Sequence, residues 1–325
     1  MTGGLIGCGA FICGLLGAWT VARYAEKLCL MDVPSSRSSH SCPTPKGGGV
    51  GILAAFVLFS LVGSLSRIAV CGATILALIS FQGDKQELTP TFRLLVQFTC
   101  AFLALWGIEC ESGLHLSWGA RVLLVPAFVI FIVGTANFYN FMDGINGIAG
   151  MTGIVGFAGL TWWAFSMGRT DIGTASLALA GGCAGFLPMN VPQARVFMGD
   201  IGSVLLGFCF GLFVVGLAES FLDFVVLCSL LFTFYADELC TMLQRFKQGD
   251  SFFQPHRKHL YQVLVNEMGT AHWKVSLSYG VVQALIFGMI LFLSRYGLFA
   301  VCTALILCFG IWVLVDARIK HKAWG

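Results

Sequence analysis

Eleven apolar runs, separated by short polar connections, constrain the fold of this 325-residue chain more than any other feature. A helix needs about 20 apolar residues to cross the hydrocarbon core of a bilayer, and each run is close to that length. Hydrophobic residues make up 57% of the chain and charged residues only 11%, whereas soluble domains carry about a quarter charged residues. The runs cover residues 3–22, 48–66, 68–82, 93–110, 119–136, 148–167, 172–188, 202–219, 222–242, 276–294 and 298–316.

These runs predict an all-α, polytopic integral membrane protein with about eleven transmembrane helices. The number falls to ten if one of the two weakest runs, the third or the seventh, does not cross. The first run is predicted to be a span and not a cleaved signal, because it is long and no basic leader precedes it. Almost every residue lies in a span or a short connection, so we expect one transmembrane domain over residues 1–325.

The basic residues are distributed unevenly between the two sets of connections. Of the 19 Lys and Arg residues, only Arg67, Arg121, Arg169 and Arg295 lie on one side, and the remainder lie on the other. By the positive-inside rule, this asymmetry predicts an N-terminus outside and a C-terminus in the cytoplasm. The predicted cytoplasmic segments, which we expect to carry the catalytic loops, are 24–47, 83–92, 137–147, 189–201 and 243–275.

The segment NFYNFMDGINGIAG, at 137–150, puts amides, an acid and glycines where an apolar run ends. A membrane protein can place so polar a segment only where it meets water, protein or ligand. An acid flanked by amides can hold a hydrated cation or hydrogen-bond a uracil and a ribose; the residues concerned are Asn137, Asn140, Asp143 and Asn146. The alternative is a polar helix end closed by glycine, although such a cap needs one Asn or Gly and not four polar groups.

Asp200 lies in MGDIGS at the start of the eighth run. Asp is a favoured helix N-cap, and Ser203 three residues later suits that interpretation. A carboxylate there can also recruit a divalent cation that bridges a diphosphate, and Mg²⁺ typically takes one or two carboxylates. Asp143 and Asp200 are therefore the predicted metal ligands, with Mg²⁺ as the cofactor and Mn²⁺ as an alternative. Capping and metal binding are compatible.

His256, Arg257, Lys258 and His259 form a compact cationic patch in the longest cytoplasmic segment. Basic residues at a membrane rim can be topology markers only. Histidines contribute little to topology, however, and this arrangement suits phosphate oxygens. Zinc binding is disfavoured, because no Cys or further His lies nearby in the sequence.

Further candidates lie at the ends of other runs. Lys46 precedes three consecutive glycines, and glycines that expose backbone N–H groups beside a lysine are typical of phosphate cradles. Asp237 and Glu238, near the end of the ninth run, are intramembrane acids and therefore functional candidates. Asp223 and Asp316 are predicted to be charges at the membrane edge.

Five segments in order read DVPSSRSSHSCPTPKGGG, SFQGDKQELTPTFRLLVQ, NFYNFMDGINGIAG, VFMGDIGSVLLGF and PHRKHLYQ, and they span residues 32–262. Together they resemble the polyprenyl-phosphate N-acetylhexosamine-1-phosphate transferases, of the glycosyltransferase family 4 type, which include phospho-MurNAc-pentapeptide translocase. Several ordered motifs on a matching topology are a specific signal. HRKHLYQ resembles the branch that initiates O-antigen synthesis more than the peptidoglycan branch.

The resemblance implies transfer of a HexNAc-1-phosphate from a UDP-sugar to undecaprenyl or another polyprenyl phosphate, with Mg²⁺ and release of UMP, at the cytoplasmic face of a bacterial inner membrane. Such a reaction initiates a cell-surface glycan such as O-antigen. The expected partners are the UDP-HexNAc donor, the polyprenyl phosphate acceptor and membrane lipids; no nucleic acid is expected, and a homodimer is left open. The residues implied are Asp84, Asp143, Asp200, His256 and His259 for catalysis, and Lys46, Asn137, Asn140, Asn146 and Arg257 for substrate binding, with Asn137 and Asn140 on the uridine side.

Two positions depart from the family pattern. The family's paired Asp-Asp after the third run reads Gly83-Asp84 here, and Asn146 replaces the second acid of its DGxDG motif. A catalytically impaired homologue that binds lipid phosphate is therefore an alternative. Gly83 also disfavours a covalent aspartyl-phosphate route. A transporter for an anionic solute is disfavoured as well, because mid-span charge is nearly absent and polar groups gather at one face.

Overall fold

A computed structural model describes residues 3–34, 42–86, 88–112, 118–249 and 258–324, which form a bundle of helices. In chain order the helices are α1 (Gly3–Tyr24), α2 (Val50–Val62), α3 (Arg67–Lys85), α4 (Pro90–Ser112), α5 (Trp118–Phe141), α6 (Ile148–Ser166), α7 (Thr170–Asn190), α8 (Asp200–Leu217), α9 (Phe221–Cys228), α10 (Phe232–Gln248), α11 (Leu260–Asn266), α12 (His272–Leu293) and α13 (Leu298–Trp324). A 3₁₀ turn at Ser229–Leu231 joins α9 to α10, and an antiparallel ribbon pairs β1 (Met31–Asp32) with β2 (Thr44–Pro45). The predicted all-α fold is confirmed.

Ten helices in the described part of the chain are long and apolar enough to cross a membrane, with α9 and α10 counted as one span. The third and seventh runs, predicted to be the weakest, form the full-length helices α3 and α7. The run at 48–66 instead forms α2, which has only 13 residues. At 1.5 Å per residue α2 is about 20 Å long, shorter than a hydrocarbon core of ~30 Å. The run exceeds the helix because it starts with glycines that pair with another segment and ends in a turn at Ser64, where φ is 62°.

Despite its length, α2 connects the two ends of the bundle. At its start, the N–H of Gly49 donates to the carbonyl of Met198, close to the first residue of α8. At its end, Gly63 packs so closely on α7 that an added Cβ would lie 2.7 Å from Thr174. Since α7 begins at that end and finishes beside the segment that leads into α8, α2 runs alongside α7 between the two ends of the bundle. It is not among the ten described helices that are long enough to cross a membrane.

The central helix of the bundle is α8. Nearly all of its 18 residues are buried, and it contacts α2, α3, α4, α5 and α6. Its sequence allows this, because after Asp200 it contains only apolar and small residues, so no charge has to be desolvated inside the bundle. By contrast, α13 leaves most of its apolar surface exposed, as expected for a helix that faces lipid. The single charged residue of α8 therefore lies at the end of the bundle.

Candidate active site

Five segments that are distant in the sequence meet at one end of the bundle, around a cavity of about 330 Å³. Its lining includes Lys46, Asp84, Asp143, Asp200 and Gln262, one residue from each of the segments predicted to be cytoplasmic. The helices bring these side chains together because α3, α5 and α7 end here and α8 begins here. The fold therefore gathers the polar loops into a single site, which we call the acidic cavity.

Asp84, near the end of α3, joins the first loop to the start of α8. Its Oδ1 lies 3.6 Å from Nζ of Lys46, and its Oδ2 accepts the backbone N–H of Asp200 at 3.0 Å. A helix N-terminus carries unpaired N–H groups and attracts negative charge, so this carboxylate stabilises the first turn of α8. Gly199 is needed beside it, since φ is 74° and an added Cβ would lie 2.8 Å from Asp84 Oδ2.

Asp200 is the first helical residue of α8, and the N-cap is Gly199. The N-cap interpretation of Asp200 is therefore wrong. Its carboxylate instead forms an ion pair with Arg93 of α4, with 2.5 Å between Oδ2 and Nη2. Arg93 is a site residue that the sequence pattern does not single out, although it lies within SFQGDKQELTPTFRLLVQ. This pair brings a permanent positive charge to the rim of the acidic cavity.

Asp143 lies in the turn between α5 and α6 and lines the acidic cavity. Burial raises the pKa of its carboxyl to about 7, and the negative charges of Asp200 and Asp84 add to the shift. Three carboxylates thus face one small space, where the negative charge of Asp200 disfavours ionisation of Asp143 and of Asp84. Binding of a cation or a proton between these carboxylates reduces their mutual repulsion and is therefore favourable.

The donor set of the acidic cavity is compatible with a divalent metal. Mg²⁺ typically binds one or two carboxylates and completes its shell with phosphate and water. Among the described residues, no three His, Cys, Asp or Glu side chains stand close enough to hold a metal ion alone, so further oxygen atoms have to come from substrate or water. The raised pKa of Asp143 fits such a site, since a bound cation removes the repulsion that contributes to it.

The predicted amides of the third motif have different surroundings. Asn140 lines the acidic cavity, and its Oδ1 accepts a hydrogen bond from Ser203 Oγ at 2.6 Å. Asn137 lies one turn earlier in α5, where its Nδ2 donates to Gln97 Oε1 at 2.7 Å and to a carbonyl of its own helix. This amide joins α5 to α4 and does not line the cavity. The expected contact of Asn137 with uridine stays a prediction.

Asn146 lines a second cavity, of about 630 Å³, which we call the aromatic cavity. Phe197 lines both cavities and so lies between them. The aromatic cavity is also lined by Gln193, His272 and Trp273, so its walls combine ring and amide groups. Such walls suit a planar ligand that forms hydrogen bonds more than they suit a phosphate.

The glycines at 47–49 do not form an open phosphate cradle. Their N–H groups donate to the carbonyls of Phe197 and Met198, at 2.8–3.1 Å. An added Cβ at Gly49 would lie 2.5 Å from the backbone of α8, so glycine is required for this close packing. The cradle interpretation is therefore wrong, because the N–H groups already have backbone partners. The side chain of Lys46 does line the acidic cavity.

His259 is enclosed in the protein, with 3% of its surface exposed. Its Nδ1 lies 3.5 Å from Asp237, and its Nε2 lies 3.5 Å from Glu238. His259 does not line the acidic cavity, and its expected contact with phosphate stays a prediction. The other two predicted members of this patch, His256 and Arg257, lie outside the described residues.

Asp237, within α10, joins three helices. It accepts the N–H of Leu260 at 2.9 Å and the hydroxyl of Tyr279 at 2.6 Å, which fixes α11 and α12 against α10. From α11, Tyr261 donates to the carbonyl of Phe141 at 3.1 Å, directly before the turn that carries Asp143. This intramembrane acid therefore has a structural role that extends to the edge of the site.

The two acids predicted at the membrane edge differ from each other. Asp223 forms a capping box with Ser220 at the start of α9, as suits an exposed charge. Asp316, however, is only 1% exposed; its Oδ1 lies 2.7 Å from Nζ of Lys320, and Gln244 donates to its other oxygen. Asp316 is therefore buried between α13 and α10, which supply its partners from protein, and its predicted place at the membrane edge stays a prediction.

Two further polar residues belong to the site without a strong sequence signal. Gln262, the last residue of PHRKHLYQ, lines the acidic cavity, and its buried Oε1 has no hydrogen-bond donor among the described residues. Asn190, at the end of α7, accepts the N–H of Gly147 and donates to the carbonyl of Val196. Asn190 thus holds the turn of Asp143 to the segment that precedes α8.

Comparison with known proteins gives a consistent result. The model of the family described as Glycosyl transferase family 4 matches residues 66–218, a range that includes Asp84, Asp143 and Asp200. The chain is 27% identical, over 323 aligned positions, to the decaprenyl-phosphate N-acetylglucosaminephosphotransferase of Mycobacterium leprae, and the alignment covers 84% of this chain and 79% of the relative.

Two other relatives show higher identity over shorter alignments. The undecaprenyl-phosphate alpha-N-acetylglucosaminyl 1-phosphate transferase of Thermotoga maritima is 30% identical over 254 positions, which cover 78% of each chain. The phospho-N-acetylmuramoyl-pentapeptide-transferase of Heliobacterium modesticaldum is 34% identical over 226 positions, which cover 59% of this chain and 68% of the relative.

Proposed function

Because this chain belongs to glycosyl transferase family 4, we propose that it transfers an N-acetylhexosamine 1-phosphate from a UDP-sugar to polyprenyl phosphate and releases UMP. The names of its Mycobacterium and Thermotoga relatives specify a polyprenyl phosphate and N-acetylglucosamine, which supports this reaction class. The lipid-linked sugar would start a cell-surface glycan such as O-antigen. The observation that carries the proposal is the meeting of three acids, Lys46 and Arg93 at one end of a bundle of apolar helices.

The acidic cavity would face the cytoplasm from the inner membrane of a bacterium. The excess of Lys and Arg in the connections at this end supports that orientation by the positive-inside rule. UDP-sugars are soluble, so they can enter from the aqueous side, whereas a lipid phosphate can reach the rim of the same cavity from within the bilayer. A site at the end of the bundle lets both substrates meet.

The reaction we propose is a displacement at phosphorus. An oxygen of the lipid phosphate forms a bond to the β-phosphorus of the UDP-sugar, while the bond from that phosphorus to the bridging oxygen breaks and UMP leaves with the electron pair. The acceptor phosphate has a second pKa of about 6, so its oxygens are largely ionised at neutral pH and need no strong base. The main barrier is therefore the approach of two anions, which cations and alignment lower.

Arg93 and Lys46 would contribute basic side chains to this encounter. Arg93 holds Asp200 from α4, and Lys46 holds Asp84 from the first loop, so both cations are already fixed at the cavity. Asp84, engaged by Lys46 and by the start of α8, would keep Asp200 in place while substrates bind. Gln262 would accept a hydrogen bond from a hydroxyl or amide of the donor sugar.

Mg²⁺, with Mn²⁺ as the alternative, is the proposed cofactor, and Asp143 and Asp200 would hold it. When bound, the ion neutralises charge on the donor diphosphate. Asp143 contributes through its raised pKa, because its proton near neutral pH can be exchanged for a cation. The position of both acids on the lining of one cavity supports this assignment.

The nucleoside of the donor would lie in the aromatic cavity, with Phe197 between the uracil and the diphosphate. The amides of Asn146 and Gln193 can hydrogen-bond the edge of a uracil, and the ring of Trp273 offers an apolar surface. In this proposal the uridine lies in the aromatic cavity, whereas Asn140 lines the acidic cavity on the other side of Phe197. The two cavities adjoin at Phe197, as a nucleotide that spans them requires.

The direct experiment is incubation of the purified protein with undecaprenyl phosphate, Mg²⁺ and UDP-GlcNAc, UDP-GalNAc, UDP-QuiNAc or UDP-FucNAc, with UMP release and lipid product measured together. We expect UMP and a lipid-linked sugar phosphate in equal amounts with at least one donor. Binding of UDP-GlcNAc without UMP from any donor would identify the impaired homologue. Uptake of intact UDP-sugar into proteoliposomes, without lipid product, would identify a transporter.

A further inference from the structure

The turn that carries Asp143 and Asn146 is held by the first turns of α12. The backbone N–H of Asn146 donates to Nδ1 of His272 at 3.2 Å, and its carbonyl accepts from Ser276 Oγ at 2.8 Å. His272 and Ser276 are four residues apart and share one face of the helix. A single residue of the turn is thus bound through both of its backbone polar groups by one helix face.

The same turn is also fixed from the opposite side. The N–H of Gly147 donates to Oδ1 of Asn190, and the side-chain amide of Asn146 donates to the carbonyl of Pro192 at 3.3 Å. Gly147 has φ of 90°, a conformation that glycine adopts without strain. The orientation of the Asn146 side chain therefore depends on a backbone held by α12 on one side and by the end of α7 on the other.

The hydrogen bond at His272 also specifies the state of its ring. Because Nδ1 accepts the N–H of Asn146, the ring is neutral with its proton on Nε2. His272 lines the aromatic cavity together with Asn146. It lies outside residues 66–218, which the family model matches, and outside the five sequence motifs.

We propose that His272 is a positioning residue for the nucleotide half of the site, holding Asn146 in the orientation that receives the nucleoside. This rests on the proposed function, which places the nucleoside of a UDP-sugar in the aromatic cavity. Ser276 supports the same residue through its carbonyl. Loss of the His272 acceptor frees the turn and weakens nucleotide binding, although His272 itself is not required for the chemical step.

The test compares His272→Leu with His272→Asn, whose side-chain oxygen can accept the same N–H. Amide hydrogen exchange across residues 142–148 and UDP affinity by calorimetry are measured in detergent. His272→Leu should speed exchange of the Asn146 amide and weaken UDP binding each by up to about tenfold, which corresponds to about 1.4 kcal/mol and lies within the range of one hydrogen bond. His272→Asn should restore both to within about threefold. His321→Leu, an exposed histidine in the last turn of α13, is the matched control and should change neither.

Two results would overturn the proposal. In one, His272→Leu keeps the native exchange rate and UDP affinity; in the other, His272→Asn behaves like His272→Leu. Should His272→Leu fail to fold, Ser276→Ala removes the second bond to Asn146 and is expected to speed exchange in the same segment. A native protein that neither binds UDP nor releases UMP would contradict the proposed function instead. The exchange measurement still decides whether His272 holds the turn.

Discussion

Oδ2 of Asp84 accepts the backbone N–H of Asp200 at 3.0 Å, although 116 positions separate the two residues in the sequence. Through this contact, one acid of the site holds the helix start that carries another. The contact also explains how a lone acid at this position can be useful beside Gly83. Its carboxylate acts on the geometry of α8 and on Lys46, and neither role needs a second carboxylate at the neighbouring position.

This relationship gives the first prediction, about Asp84 and Gly83. Asp84→Asn keeps an acceptor for the N–H of Asp200 but loses the charge that faces Lys46, so UMP release should fall at least about tenfold. Gly83→Asp should fold and remain within about threefold of native activity, because a Cβ there meets Leu88 at an ordinary 3.5 Å and Gly83 does not line the cavity. Activity of Gly83→Asp well above native would show that the missing acid limits this chain.

A second prediction concerns the metal. EDTA should abolish UMP release and excess Mg²⁺ should restore it, since a cation held by Asp143 and Asp200, as proposed, would offset their repulsion of a diphosphate. Asp143→Asn and Asp200→Asn should each lower kcat/KM by about 10²-fold or more. Asp223→Asn, at the capping box on α9, is the control and should retain native turnover. Near-native turnover by Asp200→Asn would remove this residue from the metal site.

The raised pKa of Asp143 predicts how stability and metal binding depend on pH. The folded carboxyl titrates near 7, whereas an unfolded one titrates near 3.9, so between these values the fold retains a proton that the unfolded chain releases. In the metal-free protein, the contribution of the Asp143 carboxyl to the free energy of unfolding is present at low pH. It is lost as the pH rises through about 7. Metal binding displaces the proton, so Mg²⁺ should raise Tm more at pH 8 than at pH 6. A Tm increase independent of pH would contradict this assignment.

His259 provides the fourth prediction. Because it lies between Asp237 and Glu238 in the interior, His259→Ala removes one polar partner from each of these buried acids and should destabilise the fold by about 1–3 kcal/mol. The measurement is the yield of folded protein and its Tm in detergent, with His321→Ala as the exposed control. If His259→Ala folds as well as native but loses turnover, the histidine contacts substrate after all.

Much of the fold could be predicted because apolar length is a local property of the sequence. Helix length and the need to satisfy backbone groups in lipid leave few alternatives to a helix for an apolar run of about 20 residues. Only the run at 48–66 was overestimated, because the glycines at its start pair with residues 197–198, a contact that hydropathy does not encode.

The residue types at the site could also be predicted, since polar groups at the ends of membrane spans need a reason to be there. Asp84, Asp143, Asp200, Asn140 and Lys46 all line the cavity that their motifs suggested. The interaction partners of these residues could not be predicted. The sequence around an acidic residue does not show whether its side chain contacts water, a cation, an arginine or the start of a helix.

Only the tertiary structure decided which polar residues face the cavity and which hold the protein together. Asn137 and His259 belong to motifs as specific as that of Asp200, yet one joins α5 to α4 and the other lies between two buried acids. Arg93 contacts Asp200, and His272 contacts Asn146, and in each pair more than 100 positions separate the two residues in the sequence. The sequence by itself determined the positions and the apolar character of most of the long helices, because these depend on local composition. The assignment of each polar side chain to ligand or scaffold depends on packing between distant segments, which only the folded chain brings together.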